Sequence, residues 1–218
     1  MNRGIYIWLL VFSLLTGCYK EKITSISDSV QINSSYSLPI GEIKYQVNDY
    51  FEALDTITFP LPDSVSFNDT LYPNVLHVIE KTEFKQFDFA NLGGNPDKIK
   101  SITIRMLIKN GFPTEAGAQV YFTDNLTITD SLFNGGIEHV SAGFIGDNGR
   151  VTEPSITLRD IVLSQQMLHN LGNYQNIRIK GEVLTTRPDM DIVKFYSDYE
   201  LTIHIGIRVE MDFNINEL

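Results

Sequence analysis

The stretch from Glu200 to Phe213 constrains the fold more than any other part of the sequence. Apolar side chains occupy every second position of these fourteen residues, with polar residues or glycine between them. Such alternation sends one kind of side chain to each face of a β-strand. At about 3.3 Å per residue, the strand would be about 45 Å long. The stretch predicts a long strand whose buried face carries Leu201, Ile203, Ile205, Ile207, Val209, Met211 and Phe213.

Several other segments predict strands, and the most regular of them runs from Ile99 to Lys109, with Ile102, Ile104, Met106 and Ile108 expected on one face. A second, Thr82 to Phe89, has Phe84, Phe87 and Phe89 as candidate core residues. A hairpin turn is expected at Asp147-Asn148-Gly149, because Asn and Gly accept positive φ. No strand–helix–strand rhythm is visible. These features predict a mainly β chain, folded as an antiparallel β-sandwich of the fibronectin or immunoglobulin-like kind.

The sequence also predicts one or two short helices. Asn48 or Asp49 is expected to cap the first, which would run through Leu54. Ser164 is expected to cap the second. The evidence for that helix is a set of apolar residues at helical spacing and a terminal glycine, namely Met167, Leu168, Leu171 and Gly172.

The N-terminus has the layout of a secretory signal. Arg3 supplies a positive charge, and Ile5 to Leu15 is an apolar run too short to span a bilayer comfortably. The only cysteine of the chain follows in Leu15-Thr16-Gly17-Cys18. This tetrapeptide resembles the bacterial lipobox, which implies diacylation of the Cys18 thiol, cleavage before Cys18 and acylation of the new N-terminus. A short N-terminal helix or an uncleaved signal anchor is the alternative, but neither explains all of these features together.

The leader divides the chain into regions. Residues 1–17 are the predicted lipoprotein signal peptide, and the polar, serine-rich residues 18–36 are a predicted flexible tether. An edge strand around Val30 to Ile32 is the competing interpretation of the tether. A cluster of turn-forming residues just before Asp97 separates a predicted N-terminal β-rich region, 37–95, from a predicted C-terminal sandwich, 96–218. The alternative is that both regions form one domain.

Charge excludes one class of partner. Without residues 1–17 the chain has 16 Lys and Arg against 27 Asp and Glu, so its net charge is 16 − 27 = −11. We expect no nucleic acid partner, because phosphates need a basic face. An acidic body also gains little from anionic lipid, so the membrane would be held by acyl chains on Cys18. The expected location is the bacterial cell envelope, anchored in the outer membrane, with the body on either face.

Residues 98–186 carry two short motifs with a known counterpart. They are Ile108-Lys109-Asn110-Gly111-Phe112-Pro113 and, after Leu168 and Leu171, the run Ile177-Arg178-Ile179-Lys180-Gly181-Glu182-Val183. The first resembles the "Asn-Pro-Phe" strand end of the water-stress/hypersensitive-response (WHy) or late-embryogenesis-abundant type 2 domain, although Gly111 stands where that family usually has proline. The overall layout also resembles uncharacterised lipoproteins of Bacteroidetes-type bacteria. Both resemblances imply a two-sheet sandwich and neither implies a reaction.

Five tripeptides combine Asp, then Ser or Thr, then an aliphatic residue, where chance would give about one. The pattern is similar to the O-glycosylation site of exported Bacteroidetes proteins, in which the hydroxyl accepts the glycan. The alternative is that Asp and the hydroxyl residue close a turn before the next strand. The candidate acceptors are Ser29, Thr56, Ser64, Thr70 and Ser131.

No pattern in the sequence points to catalysis or to a bound metal. His77, His139, His169 and His204 do not stand at ligand spacing, and we expect no catalytic residue, metal or cofactor. The leading hypothesis is a non-enzymatic, lipid-anchored protein with a structural, adhesion or assembly role and an envelope protein or glycan partner. The alternative is a lipoprotein that binds a lipid or glycan, which a contiguous apolar groove would favour. A third alternative is a carbohydrate-active or accessory enzyme, which converging carboxylates or histidines would favour.

Overall fold

This computed structural model describes residues 31–87, 89, 98–124, 127–134 and 136–214. Residues 33–212 form one compact unit. The second unit comprises residues 1–32 and 213–218, of which only 31–32 and 213–214 are described, in extended conformation. Cys18, Ser29 and the turn-forming residues before Asp97 lie outside the described residues.

The described chain is built from fourteen strands and two short α-helices. The helices are α1 (Asn48–Glu52) and α2 (Gln165–His169), and a 3-10 turn covers Leu171–Asn173. The strands are β1 (Gln31–Tyr45), β2 (Ser64–Phe67), β3 (Thr70–Pro73), β4 (Val78–Gln86), β5 (Ile99–Asn110), β6 (Ala116–Asp124), β7 (Thr127–Ser131), β8 (Glu138–Val140), β9 (Phe144–Ile145), β10 (Val151–Glu153), β11 (Ser155–Val162), β12 (Asn176–Leu184), β13 (Val193–Phe195) and β14 (Leu201–Asn214).

The first sheet has the strand order β1-β14-β5-β11. β14 pairs antiparallel with β5, with Ile205 opposite Met106 and Leu201 opposite Asn110. The predicted alternation is confirmed, because every second residue of β14 from Leu201 to Met211 is buried. The same residues of β5 that were predicted to share a face, including Ile104 and Ile108, are also buried. These two strands therefore contribute a continuous apolar inner face.

The second sheet has the order β4-β12-β6-β7, and β8 pairs with the first residues of β6. Alternate residues of β12, from Ile177 to Val183, are buried against the first sheet. The two sheets meet closely at Tyr45, whose hydroxyl donates to the Ile179 carbonyl at 3.0 Å. A Cβ at Gly181 would lie 2.8 Å from the Tyr45 ring, so only glycine admits the ring there. The packed inner faces confirm the predicted β-sandwich.

A smaller sheet has the strand order β13-β2-β3. Phe51 of α1 stacks on Phe67 of β2 with ring centroids 4.6 Å apart, and it also contacts Phe195 of β13 at 5.6 Å. Phe112, which follows β5, continues this cluster to Phe195 at 5.9 Å. β13 runs parallel to β2, whereas β3 runs antiparallel to it. Burial of four aromatic rings explains why the small sheet stays attached.

The Asn110–Pro113 motif is a structural connection between β5 and β6. The fully buried Asn110 amide donates to the Thr114 and Ser141 carbonyls at 2.8 and 2.9 Å. Its Oδ1 accepts the Phe112 N–H at 3.0 Å. The Gly111 N–H donates to the carbonyl of Glu200, the residue before β14, at 2.9 Å. Proline cannot make this bond because it has no N–H. This bond gives a physical reason for glycine at this position.

Three local predictions need correction. Part of the predicted tether, residues 31–36, belongs to β1, because these residues extend an edge strand of the first sheet. Helix α1 begins at Asn48, but the N-cap position is Val47 and makes no side-chain bond. Phe89 is buried as predicted, whereas Phe84 is 57% exposed because it pairs with Arg178 on the outer face of the second sheet.

Two other predictions of local structure are confirmed. The Ser164 hydroxyl accepts the Met167 N–H at 3.2 Å and caps α2. β9 and β10 form a hairpin around Gly149, which has φ of 76°. Strands from the two predicted regions, 37–95 and 96–218, lie side by side, with β4 next to β12 and β2 next to β13. Residues 33–212 consequently share one core.

Candidate functional site, an open groove on the first sheet

An open groove of about 670 Å³ lies on the outer face of the first sheet. All four strands of the sheet contribute to it. Its lining residues are Ser37, Leu38, Pro39, Thr103, Arg105, Leu107, Lys109, Leu158, Asp160, His204, Ile205, Gly206, Ile207 and Arg208. The volume falls in the range of about 300–1,000 Å³ that is common for small-molecule sites.

Gly206 lies at the centre of the groove, in the middle of β14 and opposite Arg105 of β5. Glycine in a strand interior is unfavourable, so its presence usually has a local reason. The backbone does not require it here, since a Cβ at this position would meet only the Leu38 carbonyl oxygen, at an ordinary 3.6 Å. The missing side chain leaves the floor of the groove open.

Three leucines line the groove, on two facing sides. Leu107 is half-buried on β5, and Leu158 is its cross-strand partner on β11. Leu38 and Pro39 of β1 line the opposite side. Leu38 and Leu158 are both exposed to solvent. Exposed leucines on facing walls offer a surface that an apolar ligand would cover.

Cationic side chains outnumber anionic ones around the groove. Arg105, Lys109 and Arg208 line it together with a single carboxylate, Asp160, so the formal charge of these groups is 3 − 1 = +2. The whole chain, in contrast, carries −10. The lining is thus net positive on an acidic protein, with Arg208 partly neutralised by Glu210 at 3.5 Å, and it favours an anionic group on a ligand.

Asp160 and Arg105 form a fixed pair next to Gly206. Arg105 Nε and Nη2 donate to the two carboxylate oxygens of Asp160 at 2.7 and 2.5 Å. This bidentate bond holds the pKa of the Asp160 carboxyl below its usual range. Lys109 has no carboxylate within ion-pair distance among the residues that the structure describes. Lys109 is therefore the cation most available to a ligand.

His204 borders the groove from β14. Its Nδ1 lies 3.3 Å from the Glu42 carboxylate of β1, and the pair carries opposite charges only when the imidazole is protonated. The sequence placed His204 on the polar face of the last strand, and the structure agrees, with a half-buried ring. Within the described ranges no three His, Cys, Asp or Glu side chains are grouped so that they could hold a metal ion.

The predicted glycan acceptors differ in accessibility. Ser64 is only 6% exposed, and its hydroxyl both donates to the Leu61 carbonyl and accepts the Leu61 N–H. Thr56 is exposed, while Thr70 and Ser131 are half-buried. Modification of Ser64 would require access to the chain before β2 folds. Cys18 and Ser29 lie outside the described residues.

Local backbone geometry supports the turn-closing interpretation at two of the tripeptides. Asp63 and Asp69 have φ of 64° and 61°, which is the left-handed conformation that Asp adopts in turns. Each directly precedes a strand, β2 and β3 respectively. Glycosylation of the remaining acceptors stays a prediction.

Sequence reasoning did not find the groove. The available signal was Gly206, an unforced glycine at the centre of the longest alternating stretch. A second signal was the apolar character of Ile156, Leu158 and Val162 on one face of β11, which its pairing with β5 shows to be the outer face. Neither signal locates a groove until the strand order is known.

The fold and the groove define an antiparallel β-sandwich protein with an open, positively charged site on one outer face. No protein-family model matches the chain. No curated protein matches it either. No helix in the described ranges is long and apolar enough to cross a membrane.

Among solved structures the chain is similar to viral capsid proteins. One is the infectious bursal disease virus VP2 subviral particle, at 10% identity and a TM-score of 0.30, covering 82% of this chain and 33% of that chain. Another is the structure of T=1 particles derived from infectious bursal virus, at 10% identity and a TM-score of 0.29, covering 89% and 35%. The chain spans about a third of the length of these proteins. The fold assignment rests on the strand pairing of the chain itself.

Proposed function

We propose that this chain is a lipid-anchored protein of the bacterial cell envelope that binds an anionic amphiphile, such as a fatty acid, in the groove over Gly206. Cys18 would carry the anchor in the outer membrane, and the body would act by binding rather than by catalysis. The observation that carries the binding role is an open groove lined by leucines and by more cations than carboxylates. Of the functions considered from the sequence, this arrangement favours the ligand-binding alternative.

The anchor is supported by the leader sequence. Arg3, the apolar run and the small residue before Cys18 occur in the order that lipoprotein signals use. Cys18→Ala should abolish incorporation of an alkyne-tagged fatty acid and release the protein from the membrane fraction. Ser13→Ala, a small change in the same leader, is the matched control and should be labelled normally. Equal labelling of the Cys18→Ala variant would contradict the anchor.

The ligand class follows from the chemistry of the lining. An alkyl chain covering Leu38, Leu107 and Leu158 would remove their exposed surface from water, at about 25 cal/mol per Å². A carboxylate or phosphate at one end would be attracted to Lys109, the lining cation without an ion-pair partner among the described residues. A neutral amphiphile would still cover the leucines but would lack the attraction to the cation, so we expect it to bind more weakly.

Photolabelling tests the groove directly. The full-length protein in lipid nanodiscs is irradiated with a photoactivatable fatty acid, and the labelled peptides are mapped by mass spectrometry. We expect labels on β5, β11 or β14, and weaker labelling by the methyl ester of the same probe. Gly206→Val should reduce labelling about tenfold, because the new side chain fills the floor.

Two controls separate the groove from general effects. Gly172→Val places the same substitution where a Cβ meets nothing within 4 Å, outside the groove, and should leave labelling unchanged. Gly206→Val should also stabilise the fold by about 1 kcal/mol, because valine favours strands and glycine does not. Unchanged labelling of a folded Gly206→Val protein would overturn the binding role.

A further inference from the structure

β11 is the outer strand of the first sheet, and its side chains are unusually apolar for an edge. It is the last strand in the order β1-β14-β5-β11. Ile156, Leu158 and Val162 are 60%, 52% and 63% exposed. They share the outer face of the strand, because their partners on β5 are Lys109, Leu107 and Thr103. An exposed, apolar edge of this kind is a template for pairing with another strand.

The backbone of β11 also presents free hydrogen-bonding groups on this edge. The Leu163 N–H donates to the Ile102 carbonyl, which extends the β5–β11 ladder by one residue. Bonded and non-bonded pairs alternate in an antiparallel ladder, so the odd-numbered residues of β11 bond to β5. The even-numbered residues, Ile156 to Val162, therefore direct their N–H and C=O groups away from the sheet. The same residues carry the exposed aliphatic side chains.

The edge strand of the second sheet is different. β4 is the outer strand there, and three of the four residues that pair with the buried positions of β12 are charged, namely Lys81, Glu83 and Lys85, the fourth being Ile79. Charged side chains that point inward at an edge prevent another strand from adding to it. β1, the other edge of the first sheet, contains Pro39. Apolar exposure and open backbone groups are thus combined at β11.

The two charges of β11 are neutralised within the chain. Arg159 Nε lies 2.5 Å from a carboxylate oxygen of Glu138 on β8. Asp160 forms the bidentate pair with Arg105. A second copy of this acidic chain would be repelled over much of its surface, but it would meet no unpaired charge on this strand. Charge compatibility therefore permits self-association here.

We propose that two copies of the protein pair through β11, antiparallel about a two-fold axis at Leu158, and join their first sheets. The two-fold axis could pass at any of three residues near the middle of the strand, and the residue on the axis would face its own copy in the partner. Centring on Arg159 or Asp160 would oppose like charges, which is unfavourable. Centring on Leu158 opposes two leucines and pairs Arg159 with the partner's Thr157. Pairing through the edge does not depend on a ligand in the groove.

Disulfide formation tests this arrangement. In a Leu158-centred pair the two Cα atoms of residue 158 would be about 5.5 Å apart, within the range of a disulfide. Leu158→Cys is expressed as the full-length protein in bacterial envelopes, oxidised and examined by non-reducing electrophoresis. We expect a dimer of twice the chain mass. Phe84→Cys, which is equally exposed on the β4 edge, and the unmodified chain should stay monomeric.

Charge exchange at the same residue provides a second test. Leu158→Lys and Leu158→Glu should each weaken self-association about tenfold, because each places like charges opposite one another. Co-expression of the two variants should restore a mixed dimer. Side chains exposed at this edge contribute little to the stability of one copy, so both variants should remain folded.

Three results would overturn the proposal. The first is equal oxidation of Leu158→Cys and Phe84→Cys, which indicates random collision. The second is an adduct with a different protein instead of a dimer, which assigns the edge to another partner. The third is failure of the Lys and Glu variants to associate with each other. Each of these results, obtained while the unmodified chain is still labelled by the fatty acid, would refute the pairing alone and leave the groove unaffected.

Discussion

Asn110→Ala should strongly destabilise the protein, because Asn110 holds the connection between β5 and β6 together. The side chain is fully buried, donates to Thr114 and Ser141, and accepts from Phe112. Alanine would remove three hydrogen bonds of about 1 kcal/mol each and leave two carbonyls and one N–H with fewer partners. We expect a loss of about 3–4 kcal/mol, against a total stability of about 5–15 kcal/mol.

The assay is thermal unfolding of the full-length protein in mild detergent, followed by far-ultraviolet circular dichroism. At about 2–4 °C per kcal/mol for a chain of this size, the midpoint should fall by roughly 10 °C. Asn148→Ala is the matched control, since its Oδ1 accepts the Arg150 N–H at 3.0 Å in an exposed turn. That variant should lose less than about 0.5 kcal/mol. A fall of under about 3 °C for Asn110→Ala would refute the assigned role.

Three further perturbations test the core and the pH dependence by the same melting assay. Ile205→Asp should abolish the folded state, because it places an unpaired carboxylate on the buried face of β14; a normal melt would contradict the assigned face. Burial raises the pKa of the Tyr45 hydroxyl in the folded protein. The contribution of Tyr45 to the free energy of unfolding is therefore complete below the usual pKa of about 10, and it is lost as pH rises through the pKa of the folded state. Tyr45→Phe should therefore lose about 1 kcal/mol at neutral pH and show a weaker decline in alkali than the unmodified protein; parallel pH profiles would contradict this. Arg105 lowers the pKa of Asp160 in the folded protein. A small stabilisation should therefore exist above about pH 4 and disappear as pH falls through the pKa of the folded state. Asp160→Asn should show no such acid dependence.

Much of the fold could be predicted because burial imposes a period on the sequence. The alternation in β5 and β14 identified both strands and their buried faces, since each strand lies in the interior of a sheet with one face covered. Ser164 identified the start of α2 because capping is a local interaction. Predictions were less accurate at the edges. Phe84 lies on an edge strand, where inward positions hold charged residues and the period no longer distinguishes core from solvent.

The sequence by itself determined the β class and the faces of the long strands, because these depend on residues close together in the chain, and the lipobox at Cys18 stays a prediction. Only the tertiary structure decided which strands are neighbours. That order brings Leu38, Leu107 and Leu158 around Gly206, and it leaves β11 rather than β5 at an edge. It also places Arg105 beside Asp160, fifty-five positions away. Pairing between distant strands depends on the packing of the whole core, which no local pattern specifies.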